Sequence, residues 1–251
     1  YDRGLLNERV ALLRRTLPSA IELHYAMKAN PMPALVQHMA GLVDGLDVAS
    51  QNEMKVALDA GMNPAEISFA GPGKRPPELA AAIAAGITIN LESANELETV
   101  ARLGQEQGRR PRVAVRVNPD FELKASGMKM SGGPKPFGVD AEQVPGLLRR
   151  IGELDAAFQG FHIFSGSQNL RAEAIVEAHD RTFELALRLA TDAPAPIQLL
   201  NIGGGFGIPY FPGDTPLDLA PIAANLERWL PEVKARLPEV RVVVELGRYL
   251  V

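Results

Sequence analysis

The sequence predicts an α/β protein, a (β/α)8 TIM barrel, and three observations carry that expectation. Eight short apolar runs are spread through 251 residues, and seven amphipathic stretches separate them. Two serine-capped helix starts follow predicted strands directly. Strands with nearly continuous apolar interiors suit a parallel sheet covered on both faces. Eight of them alternating with helices in about 250 residues is the content of such a barrel, with an open doubly wound sheet as the alternative.

The expected strands are Leu23–Met27, Leu46–Ala49, Ile67–Ala70, Ile87–Asn90, Arg112–Val117, Gly160–Phe164, Leu199–Ile202 and Val242–Glu245. Helical periodicity covers Ala34–Ala40, Asn52–Ala60, Pro77–Ala85, Ala94–Gln107, Glu142–Ile151, Ala172–Ala190 and Leu219–Leu237. Ser50-Gln51-Asn52-Glu53 and Ser93-Ala94-Asn95-Glu96 read as capping boxes, each serine accepting a helix amide and each glutamate bonding back to the cap. The chain starts almost at its first helix and ends six residues after Glu245, so the expectation is a barrel cut from a longer protein.

Composition excludes several classes. Hydrophobic residues make up 46% and charged residues 22%, which rules out disorder and collagen-like repeats. A net charge of −4 without a basic block argues against nucleic-acid binding. With no cysteine there is no disulfide scaffold, thiolate zinc site or cysteine nucleophile. No apolar run approaches a membrane span and the first residues form no signal peptide, so a soluble, cytoplasmic protein without membrane partners is expected.

Two glycine-rich motifs fail on inspection. Gly203-Gly204-Gly205-Phe206-Gly207 misses the dinucleotide spacing because position 208 is isoleucine, and its strand comes late in the chain. Gly71-Pro72-Gly73-Lys74 lacks the magnesium-binding hydroxyl of a P-loop, since Arg75 follows. The four histidines are too scattered for a helical metal pair, so no metal is expected. His24, His38 and His179 read as structural or solvent-facing.

In a barrel of this kind the reactive groups sit at the carboxyl ends of the strands. Lys28 follows the first apolar run directly, where burial would favour the neutral amine; a lysine snorkelling to the rim is the bland alternative. Seven lysines occur, and this one alone ends a core strand. His162 ends strand six, as a ligand-facing imidazole or a core histidine bonded to a carbonyl. Four glycines in five residues after strand seven exceed what a turn needs and suit a phosphate nest. Glu245, after three valines, is costly to bury without a partner. That partner is either Arg248 or Arg116 in a structural ion pair, or a ligand cation that leaves Arg248 free to join the phosphate, with Gly247 giving access.

A phosphate, an aldehyde within reach of a lysine and a basic nitrogen held by a carboxylate are the three groups of pyridoxal phosphate. The sites span residues 28 to 248, so their agreement is not that of one short motif.

Longer stretches carry a family likeness. They are Tyr25-Ala26-Met27-Lys28-Ala29-Asn30, Leu46-Asp47-Val48-Ala49-Ser50, Glu92-Ser93 with Glu96-Leu97, and Val115-Arg116-Val117-Asn118-Pro119-Asp120. Phe137-Gly138, Gly166-Ser167-Gln168, the run from Asn201 to Tyr210, and Glu245-Leu246-Gly247-Arg248-Tyr249 complete the set. Together these resemble, in order and over nearly the whole chain, the fold-type III pyridoxal-phosphate decarboxylases, the group of diaminopimelate and ornithine decarboxylases, whose barrel is of the alanine racemase-like type.

The resemblance implies that residues 1–251 are the pyridoxal-phosphate-binding barrel and that Lys28 forms the internal aldimine. Glu245 would pair with the pyridine nitrogen and His162 would stack on the ring. Asp47 and Arg116 would lie around Lys28, while Ser167, Gly204, Gly205 and Arg248 would hold the phosphate. The family's strand-six motif is His-x-Gly-Ser-Gln, and here two extra residues separate His162 from Gly166. The family's Glu-Pro-Gly-Arg reads Glu245-Leu246-Gly247-Arg248. Its C-terminal β-domain, which supplies groups to the partner subunit's site, is expected to lie outside these 251 residues.

The implied activity is decarboxylation of an amino acid: diaminopimelate, ornithine, lysine or arginine, or an aminoacyl group on a carrier protein. The longer strand-six stretch is similar to relatives associated with carrier-protein-bound aminoacyl substrates or exopolysaccharide export systems, and family members are usually homodimers. An alanine-racemase-like enzyme is the nearest rival, but it places an arginine opposite the ring nitrogen, where this chain has Glu245. A non-catalytic pyridoxal-phosphate-binding homologue is the other.

Overall fold

The structure, a computed structural model, describes residues 1–121 and 136–251 together with the backbone of Met128 and Lys129. Eight parallel strands close into a barrel: β1 (Ile21–Ala26), β2 (Gly45–Val48), β3 (Ile67–Phe69), β4 (Thr88–Leu91), β5 (Arg112–Asn118), β6 (Ala157–Ile163), β7 (Leu199–Gly204) and β8 (Arg241–Leu246). Each pairs with its neighbours in sequence, and β8 returns to β1 with His24 opposite Glu245. The β4–β5 ladder, Ile89 to Val113 through Leu91 to Val115, excludes the open sheet.

All eight expected strands form, with ends moved by up to three residues. The seven expected helices form as well: α2 (Pro33–Ala40), α3 (Gln51–Asp59), α4 (Pro76–Ala85), α5 (Ala94–Gln107), α6 (Val144–Glu153), α7 (Ala172–Leu189) and α8 (Ala220–Arg236). One helix was not among them, α1 (Arg3–Thr16). The Asp2 side chain caps it by accepting the amides of Gly4 and Leu5, and Leu6, Val10 and Leu13 form its buried stripe. Asn7 reaches His38 on α2 at 2.9 Å, and the Arg9 guanidinium lies 4.8 Å over the Tyr249 ring beyond β8. α1 therefore sits between α2 and the segment after β8.

Both serine caps form, Ser50 and Ser93 accepting the amides of Glu53 and Glu96 at 3.2 Å. The glutamates reach one residue further back than a capping box requires. Glu53 accepts from Ala49 at 2.7 Å and Glu96 from Glu92 at 2.8 Å, so each carboxylate secures the strand-to-helix turn instead of the cap amide.

The strands bury apolar side chains such as Leu23, Leu46, Val115 and Val244. Each strand also contributes a buried polar residue: His24, Asp47, Ser68, Asn90, Arg116, His162, Asn201 and Glu245, in strand order. Isolated, these would be costly to bury, so they are wired together. His24 Nδ1 lies 3.3 Å from Asp47, Ser68 donates to Asp47, and Asn90 donates to Ser68 at 3.2 Å. Burial opposes the charged imidazole of His24, but the Asp47 carboxylate outweighs it and holds its pKa above the usual value. On the opposite wall, His162 and Asn201 converge on Glu245.

Candidate active site

β1 ends at Ala26, and a single turn of 3-10 helix, Met27–Ala29, carries Lys28 out of the barrel wall. The Tyr25 hydroxyl pins this turn by donating to the Asn30 carbonyl at 2.9 Å. Lys28 is consequently not buried as the sequence suggested. Its side chain is 61% exposed and stands over the barrel mouth, with Nζ 3.6 Å from Oε1 of Glu245.

Glu245 is buried in β8, and its two oxygens have different tasks. Oε2 lies 3.1 Å from Asn201 Nδ2 and 3.1 Å from His162 Nε2, whereas Oε1 faces Lys28. Neither expected arginine supplies the ion pair. Arg116 is bonded to Glu92 at 2.9 Å, and Glu92 also accepts the amides of Gly71 and Gly138. Burial pushes the Glu245 carboxyl up, but Lys28, His162 and Arg116 outweigh it and hold the pKa well below the usual carboxylate range. Glu245 is an anion at neutral pH.

Two cavities meet at Lys28, Glu245 and Phe164. The larger, about 710 Å³, adds Ser167, Gly205, Gly247 and Arg248. Gly205 has φ +73°, and a Cβ there would stand 2.6 Å from the Gly166 carbonyl, so the loops after β6 and β7 touch through backbone alone. The Asn169 amide donates to the Gly205 carbonyl at 2.9 Å and fixes that contact. The smaller cavity, about 270 Å³, is lined by Asp47, Arg116, Phe137 and His162.

Nine of the ten residues singled out from the sequence thus border these cavities. The tenth, Gly204, pairs with Glu245 across the β7–β8 ladder, and a Cβ there would run into the Glu245 carbonyl oxygen. It lines a small void behind the loop with His179. The two extra residues of the strand-six stretch, Phe164 and Ser165, follow the end of β6, so His162 keeps its place inside the barrel while Phe164 lines both cavities. Phe164 and Asn201 were missed as single residues. A polar side chain inside the run Leu200–Ile202 was the available signal for Asn201.

An amine, a buried carboxylate and a glycine-lined end with a serine and an arginine therefore share one cavity. The family model described as the pyridoxal binding domain of pyridoxal-dependent decarboxylases matches residues 3–251. The chain belongs to this family.

Among relatives of this pyridoxal-dependent decarboxylase barrel, L-glutamyl-[BtrI acyl-carrier protein] decarboxylase of Niallia circulans is 32% identical over 253 residues, covering 100% of this chain and 59% of the relative. Diaminopimelate decarboxylase of Aquifex aeolicus is 34% identical over 258 residues, covering 99% and 58%. In structure, diaminopimelate decarboxylase from Helicobacter pylori complexed with L-lysine superposes with a TM-score of 0.85 at 25% identity, covering 100% of this chain and 63% of that one. The chain thus spans about three fifths of the length of these relatives.

The cofactor of this barrel family is pyridoxal phosphate, and the residues present fit it. An aldehyde needs an amine, a pyridinium nitrogen needs an anion, and a phosphate needs backbone amides and a cation. Lys28, Glu245 and the Gly205–Ser167–Arg248 end offer these along one cavity.

Proposed function

We propose that this barrel belongs to an enzyme that removes the α-carboxylate of an amino acid, with pyridoxal phosphate carried on Lys28. The observation that supports this most is that the Lys28 amine and the buried Glu245 line one cavity with Ser167, Gly205 and Arg248, with Oε2 of Glu245 held by its neighbours and Oε1 turned towards that cavity. The cofactor, when bound, takes up the electron pair left as carbon dioxide departs, provided its ring nitrogen stays protonated.

The chain's own residues keep that condition. Lys28 would hold the aldehyde carbon. Glu245 would hold the proton at the ring nitrogen: at an effective dielectric of 20, a charge pair at 4 Å is worth about 4 kcal/mol, or roughly three pKa units. His162 borders the same space with a flat imidazole. Ser167, Gly205 and Arg248, at one end of the cavity, would hold the phosphate. An arginine opposite the ring nitrogen, as in a racemase, would oppose ring protonation.

The substrate class is an amino acid with a free α-carboxylate, either a diamino acid or an aminoacyl group on a carrier protein. The names of the Aquifex and Niallia relatives support these two forms. The reading extends to a cytoplasmic homodimer in which the barrel, residues 1–251, is one domain of a longer protein with a C-terminal β-domain. No helix among the described residues is long and apolar enough to cross a membrane.

The test is to incubate the protein with pyridoxal phosphate, reduce it with borohydride and map the labelled peptide by mass spectrometry. A screen for carbon dioxide release from diamino acids and carrier-bound aminoacyl groups follows. A single adduct on Lys28 with release from one substrate is expected. No labelling of the complete natural polypeptide would overturn the reading.

A further inference from the structure

Asn201 has had no task in the site beyond its bond to Glu245, yet it joins two parts of that site. It is 3% exposed. Its Oδ1 accepts the Gly203 amide at 2.8 Å, and its Nδ2 donates to Glu245 Oε2 at 3.1 Å. At this point the β7–β8 register slips, for Asn201 lies opposite Val243 but Gly204 lies opposite Glu245. β7 takes three steps where β8 takes two, a bulge containing Gly203 at φ +72°. The bulge opens directly into the glycine-rich loop.

We propose that Asn201 is a positioning residue for the decarboxylase: it fixes which oxygen of Glu245 faces the cofactor ring and ties that choice to the bulge that launches the phosphate loop. The inference rests on the function proposed above. The terminal torsion of a glutamate is soft and two-fold, so an unrestrained carboxylate exchanges its oxygens freely. With Oε2 occupied, Oε1 is left for the ring nitrogen. A single planar group must accept from Gly203 and donate to Glu245, and of the side chains of this size only an amide does both. An ionised aspartate keeps the first bond, loses the second and sets another anion beside Glu245. Leucine loses both.

The groups facing Glu245 are Lys28 from the turn after β1, His162 from β6, Arg116 from β5 and His24 opposite it on β1. None of these changes in an Asn201 variant, so a new pH dependence would come from position 201.

Asn201→Asp and Asn201→Leu are made in the complete natural polypeptide that carries these 251 residues. Pyridoxal phosphate affinity and the absorption of the bound cofactor are measured from pH 5.5 to 8.5, with thermal melts to check folding. Hydrogen bonds to charged groups lead to an expected affinity loss on the order of 10- to 100-fold for Asn201→Leu. For Asn201→Asp, both affinity and absorption are expected to acquire a pH dependence beyond that of the wild type, because two adjacent carboxylates share a proton. A uniform loss at every pH in both variants, which a merely structural role would give, overturns the proposal, as does wild-type behaviour in either. If Asn201→Asp does not fold, Asn201→Leu decides through the absorption of the bound cofactor at saturation: a band shifted from the wild type's supports the proposal, and the wild-type band overturns it. Failure of the wild type to bind pyridoxal phosphate overturns the decarboxylase reading itself, and this one with it.

Discussion

His162 Nε2 and Glu245 Oε2 lie 3.1 Å apart, although β7 separates the strands that carry them. The imidazole thus reaches across the inside of the barrel to the carboxylate that Lys28 approaches from the other side. Glu245 is the hub of the site, and its charge is the quantity the surrounding groups protect.

Replacing that charge at nearly constant shape is therefore the most direct perturbation. Glu245→Gln is expected to lower kcat by roughly 10²- to 10³-fold, near the upper limit set by a charge pair worth about 4 kcal/mol. Borohydride trapping at Lys28 should persist in this variant, because the amine is untouched. Unchanged turnover in Glu245→Gln or Glu245→Arg would remove the carboxylate from the mechanism.

The phosphate loop gives a separate prediction. Gly205→Ala puts a Cβ 2.6 Å from the Gly166 carbonyl at a residue with φ +73°. The left-handed conformation alone costs about 1–2 kcal/mol for alanine. Affinity for pyridoxal phosphate should fall at least 10-fold, while affinity for pyridoxal, which has no phosphate, should change little. Parallel titrations with the two ligands distinguish a damaged phosphate end from a damaged barrel.

Phe164 lines the junction of the two cavities. Phe164→Ala removes an aromatic face from that junction, and aromatic pairs are worth about 0.5–1.5 kcal/mol beyond their area. A two- to tenfold weaker cofactor affinity is expected, together with a rise in KM relative to kcat for the preferred substrate. Titration by cofactor fluorescence and steady-state kinetics check the two parts independently.

Stability should depend on pH through His179. Burial in α7 pushes its imidazole down to about 4, against an unfolded value of 6.5. The folded state therefore resists protonation while the unfolded state accepts it, and stability falls as pH drops from 6.5 towards 4. Between pH 7 and pH 5 the expected loss is about 2 kcal/mol, at 1.36 kcal/mol per unit. Urea denaturation at the two pH values should show this slope in the wild type and lose most of it in His179→Gln. A parallel slope in both proteins would assign the effect elsewhere.

Much of the architecture was legible because burial on both faces leaves an unmistakable apolar run, as in Val242–Val244. α1 was legible in principle, since Leu6, Val10 and Leu13 keep helical spacing behind Asp2, but the charged residues between them dilute the pattern. Closure was legible only through the number of strands and helices, for the β4–β5 pairing that excludes the open sheet leaves no local trace. At the site, Lys28 and Glu245 stood out as charges ending apolar runs. The exposure of Lys28 did not, because a turn at Met27–Ala29 that lifts it from the wall looks in sequence like more strand. The partners of Glu245 were also hidden. Position 245 meets 162 and 201 only after the intervening helices have folded back, and in sequence only the arginines, such as Arg248, stood beside a ligand cation as candidate partners.

The His24–Glu245 register joins the first strand of the barrel to its last. During synthesis, Lys28 emerges early and must wait for nearly the whole barrel before Glu245 exists. No partly made barrel can offer both, so a site that needs the pair is timed to completion of the ring of strands. A ligand that binds only the finished ring would then act as a latch, holding together a first and a last strand that are far apart along the chain.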